Sequence, residues 1–148
     1  MFKRLRQFNG LAWCEQSLII RIVILTAAAR TAILLLPFCK LSLLLGKEKS
    51  ESPAMATQQE YTAAWQVGSM IERVSRYTPW QSKCLVQALV GKLLLQRLGI
   101  DATLYMGVAK DADNKMIAHA WLRCGEMIVT GSAGREQFTV VGCFASRK

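Results

Sequence analysis

Two residues of this chain have the types and the setting for covalent catalysis. Cys84 lies in Ser82-Lys83-Cys84-Leu85-Val86-Gln87-Ala88-Leu89, and His119 lies 35 residues later in Ile117-Ala118-His119-Ala120-Trp121-Leu122. His119 is the only histidine, so any imidazole-based mechanism must run through it. A thiol is a strong nucleophile only as the thiolate. The positive end of a helix and a neighbouring imidazole both favour that form. Ser82 as N-cap would set Cys84 at the second helical position. The pair would then perform nucleophilic acyl transfer, with the Cys84 amide at the helix end facing a developing oxyanion. Gln81 and the Trp80 indole, just upstream, are candidates for a second oxyanion donor.

A third group normally orients the imidazole. If Cys124-Gly125 is a two-residue turn, Arg123 pairs with Glu126, Trp121 with Ile128 and His119 with Thr130. Residues directly opposite on antiparallel strands project to one face about 5 Å apart. Thr130 is therefore the expected orienter of His119. Glu136, Asp113 and Glu126 are fallback carboxylates without a register argument. The plainer reading stays open. Cysteine is a common buried residue in apolar helices, four others occur here at 14, 39, 124 and 143, and a histidine beside a tryptophan can be a satisfied core residue.

The elements that would position the pair follow from periodicity. Residues 17–45 are strongly apolar but interrupted by Arg21 and Arg30. A membrane-spanning helix would hold both arginines in hydrocarbon at about 2.5–3.5 kcal/mol each. Two helices are expected instead, over 12–34 and 37–46 and broken at Pro37, packed on the domain or lying on a membrane surface. Residues 47–58 read as a charged linker. From Gln58 to Tyr77, apolar Tyr61, Ala64, Trp65, Gly68, Ile71 and Val74 recur at helical spacing, with Trp65 expected in the core. A central, mostly buried helix spans 82–98, its wet stripe made by Lys83, Gln87 and Gln96 with Lys92 and Arg97 beside it. Gly91 in its middle predicts close contact with another backbone. The period then changes to two, giving strands over 102–109, 116–123, 126–131 and 137–144. Helices followed by an antiparallel meander make an α+β domain, with 1–58 as an N-terminal region and 59–148 as the domain proper.

Composition bounds the partners. The 148 residues carry a net charge of +9, with six basic and one acidic residue in 1–40. A basic surface suits acidic partners, but no nucleic-acid-binding motif is present, and nucleic acid is not expected. Five widely spaced cysteines without a CxxC argue for a reducing cytoplasm over a secreted disulfide framework. One histidine and scattered cysteines match no zinc spacing, so neither metal nor cofactor is expected.

The run Trp80-x-x-Lys83-Cys84-Leu85-Val86-Gln87-Ala88-Leu89, then Leu98-Gly99-Ile100-Asp101-Ala102, Tyr105-x-Gly107-Val108 and His119-Ala120-Trp121-Leu122, resembles the transglutaminase-like cysteine peptidases of lasso peptide maturation. The resemblance covers about 60 to 144. It implies a papain/transglutaminase-like α+β fold, with N-terminal helices before a central cysteine-bearing helix packed on a small antiparallel sheet. It implies Cys84 as nucleophile, His119 as base, and removal of the leader from a ribosomally made precursor peptide. It further implies a separate leader-binding protein of the RRE type and a lasso cyclase as partners. The family often places an acidic residue after the His-Ala-Trp strand, where this chain has Thr130-Gly131-Ser132. The competing readings are an acyltransferase or amide cross-linker on the same fold, a non-catalytic peptide-binding protein, and a protein that contacts membrane through 12–46.

Overall fold

The computed structural model describes residues 12–37, 40 and 47–145. Among the described residues, three α-helices and five strands make an α+β fold: α1 (Trp13–Leu35), β1 (Lys47–Glu48), α2 (Gln58–Ser75), α3 (Cys84–Arg97), β2 (Thr103–Lys110), β3 (Met116–Cys124), β4 (Met127–Thr130) and β5 (Thr139–Ala145). The expected helix over 37–46 lies largely outside the described residues. The strands form one antiparallel sheet in the order β1-β5-β2-β3-β4. The expected linker is less free than its composition suggests. Lys47 and Glu48 pair with Ala145 and Phe144 at the sheet edge, and the Ser52 amide and hydroxyl both bond the buried Thr103 hydroxyl.

Helix α2 starts on a capping box, in which Thr57 and Glu60 satisfy each other's amides, two donors that a helix start otherwise leaves unpaired. It buries Ala64, Val67, Gly68, Ile71 and Val74, a stripe at helical spacing. Trp65, expected in the core, is exposed, because the next position around the helix turns it off that stripe. Helix α3 packs between this layer and the sheet. Gly91 fits because a Cβ there would stand 2.8 Å from Leu122 Cδ2, so the predicted close approach is met by a strand side chain. Lys92, expected beside the wet stripe, is buried, and its ammonium donates to the carbonyls of Ala102 and Phe144.

Helix α1 lies outside α2 and α3 and buries Ile22, Thr26 and Ala29. It is long and apolar enough to cross a membrane by length and composition. Most of its surface is uncovered here, with Trp13, Ile20, Ile24, Leu34 and Leu35 at least half exposed.

Alternation along the strands gives the sheet two distinct faces. Leu104, Ala120, Leu122, Cys124 and Phe144 face the helices and form the core with Leu94 and Leu95. Tyr105, His119, Trp121 and Arg123 face the other way. Tyr105 stacks on Trp121 at 5.6 Å, and Arg123 reaches the Tyr105 hydroxyl at 3.0 Å.

Candidate active site

Cys84 is the first residue of α3 and is half-buried against the core. The N-cap is Lys83, without a side-chain cap. This corrects the expected capping by Ser82, whose hydroxyl is turned to Thr78 at 2.8 Å. Among the described residues, the amides of Cys84, Leu85 and Val86 therefore end the helix without an intrahelical or side-chain acceptor, a donor cluster suited to an anion. Gln87, one turn on, donates to the Ser82 carbonyl at 2.9 Å and braces the loop before the helix.

The two side chains expected to supply a second oxyanion donor are turned to α1. The Trp80 indole donates to the Thr26 hydroxyl at 3.2 Å, so its only N–H is engaged. The Gln81 carbonyl oxygen accepts from Arg30 at 3.4 Å. The uncapped amides at the head of α3 are the donors left open beside Cys84.

His119 sits at the middle of β3, opposite Gly107 of β2. Its ring lies against Trp121 and Phe138, with centroids 5.9 and 5.0 Å away, and its Nε2 is 2.9 Å from the Gly131 carbonyl. The described hydrogen bonds of His119 run to Gly131 and not to Cys84. Alternation turns the imidazole to the sheet face away from the body of α3.

Thr130 does not stand opposite His119. The β3–β4 turn is Gly125-Glu126, with Cys124 paired to Met127, and an irregularity between Leu122 and Arg123 brings Thr130 opposite Leu122. Thr130 is buried and its hydroxyl has no hydrogen-bond partner. Two of the fallback carboxylates are engaged elsewhere, Asp113 and Glu136 in exposed pairs with Lys115 and Arg135; Glu126 is at the β3–β4 turn, where its main-chain amide donates to the Tyr61 hydroxyl. The group that reaches the imidazole is a main-chain carbonyl, missed because a sequence shows no carbonyl directions. The only hint was a glycine where the strand ends.

After β4 the chain crosses past β3 and β2 to reach β5, passing through Gly131 to Phe138. A cleft of about 370 Å³ opens where this crossover leaves the sheet. Its walls include Ser75 at the end of α2, Gln87 of α3, and Thr130, Gly131 and Ser132. It is thus bordered on one side by the helix that carries Cys84 and on the other by the residue that holds His119.

A sequence profile described as the Transglutaminase-like superfamily matches residues 23–143, most of the chain, and the chain belongs to that superfamily. No curated protein and no solved structure is significantly similar to it.

Proposed function

We propose that this member of the transglutaminase-like superfamily is a cysteine peptidase that removes the leader from a ribosomally made lasso precursor peptide before ring closure. Superfamily membership is compatible with a cysteine peptidase or an acyltransferase. The observation that carries the reading is Cys84 as the first residue of an uncapped, centrally packed helix. The leader-peptidase assignment rests on the resemblance of the segments around Cys84 and His119.

In this reading the peptide lies along the cleft between Gln87 and Gly131. The Cys84 sulfur attacks the scissile carbonyl, and the thiol proton passes to His119. The carbonyl oxygen gains negative charge opposite the α3 amides, where fixed donors are most effective. His119 returns the proton to the departing amine as the C–N bond breaks, leaving the leader as a thioester on Cys84. Water then adds, His119 takes its proton, and the thioester opens to free acid and thiol. The step requires the Cys84 sulfur and the imidazole to come within reach of each other. A separate protein binds the leader and delivers it, and a cyclase uses the released amine.

Mass spectrometry of precursor and leader-binding protein incubated with the chain tests the proposal. Two fragments whose masses sum to precursor plus one water are expected, and none with Cys84→Ala. Continued cleavage by that variant excludes Cys84 as nucleophile. A product joining two amine and acyl substrates replaces hydrolysis with the acyltransferase reading.

A further inference from the structure

We propose that the main-chain carbonyl of Gly131 takes the place of the third catalytic side chain, fixing His119 so that Nδ1 is the nitrogen that exchanges a proton with Cys84. The inference rests on the functional reading above. A carbonyl oxygen can only accept, so the 2.9 Å contact between His119 Nε2 and Gly131 O requires the hydrogen on Nε2. A neutral imidazole carries one N–H, which leaves the lone pair on Nδ1.

The carbonyl is held where it is by the absence of a side chain. Gly131 has φ +75, and a Cβ there would stand 2.4 Å from the Ala120 carbonyl oxygen and 3.0 Å from Trp121 Cα. Both are backbone atoms of the His119 strand, so they cannot step aside as a flexible side chain could. Any other residue at 131 must move the chain, and the acceptor with it. Trp121 and Phe138 lie against the ring, leaving the imidazole little room to follow. The fixed pieces are thus an aromatic slot for the ring and a glycine-dependent acceptor for one nitrogen. A peptide carbonyl is neutral, so it orients the ring without adding a negative charge beside it.

The sole histidine makes the test direct, because its ring nitrogens give the only imidazole signals of the full-length protein. Long-range ¹⁵N–¹H spectra at a pH where the ring is neutral should show Nε2 protonated and Nδ1 bare, with a solvent-protected Nε2–H proton. Gly131→Ala should lose that protected proton and lower turnover about 100-fold, the scale of an ångström-sized misplacement, with KM little changed. Thr130→Val should keep the protected proton. A wild-type ring with its hydrogen on Nδ1 overturns the proposal, and it does so even if Gly131→Ala fails to fold. So does loss of the protected proton in Thr130→Val together with its survival in Gly131→Ala. These spectra need no substrate. If Cys84→Ala continues to cleave precursor while the Nε2–H signal is present, the peptidase mechanism fails and the Gly131 contact stands.

Discussion

Helices α1 and α3 are both apolar around most of their circumference, and the fold treats them oppositely. α3 buries eight of its 14 residues, while α1 buries three of 23. The difference lies in what surrounds them. α3 has α2 and α1 on one side and β2, β3 and β4 on the other, whereas among the described elements α1 packs mainly on α2 and α3. Apolar composition decides which surfaces gain by leaving water, and the neighbours decide which ones do. The contrast also separates two positions. α3 is a central post with Cys84 as its first residue, and α1 is an outer brace whose far side no described element covers.

The sharpest way to break this contrast is to cut the same number of carbons from each helix. Leu95→Ala in α3, at a fully buried position, should cost about 2–5 kcal/mol in denaturant unfolding. Ile22→Ala, on the single buried stripe of α1, should also be costly. Comparable loss from Leu95→Ala and from an outward position of α1 would show that the outer face is covered.

A second test uses the one charge that α3 takes inside. Burial pulls the Lys92 amine down to about 8, while a lysine in the unfolded chain titrates near 10.4. Between about pH 8 and 10.4 the unfolded chain binds more protons than the folded one, so stability rises with pH across that window and is level below it. The rise amounts to about 3 kcal/mol in total. It should be present in wild type and absent from Lys92→Met when unfolding free energies are compared pH by pH. An identical slope in both proteins would mean that Lys92 keeps its charge on folding.

The smallest effect belongs to the outer face of α1. Ile24→Ala and Leu35→Ala, both more than half exposed, should change stability by no more than about 0.5 kcal/mol. Thermal or denaturant melts read this directly.

Much of the α+β fold was legible in the sequence because its periods are clean. The change from helical spacing to alternation after Gly99 marks where the sheet begins, and the four main strands lie within one or two residues of expectation. Cys84 was visible as the head of α3 for the same reason. The orienter of His119 was not. The turn is placed one residue late relative to the simplest reading, and a local irregularity adds to the offset. Neither leaves a mark in composition, and together they carry Thr130 away from His119. Trp65 and Lys92 failed for a related reason. Side-chain type suggested the core for one and water for the other, but the stripe set by Ala64, Val67 and Ile71 excludes Trp65, and two strand carbonyls receive Lys92. The β1 pairing was illegible because two residues are too short to show a period.

The Thr26 hydroxyl receives the Trp80 indole across 54 positions of sequence, and Arg30 reaches Gln81 beside it. Two stitches therefore fasten the stretch leading into Cys84 to helix α1. A force or a binding partner that draws α1 aside tugs on residues 80 and 81, and through them on the backbone that presents the sulfur. Helix α1 is thus in mechanical register with the head of α3, and losing α1 would free the stretch that leads into Cys84.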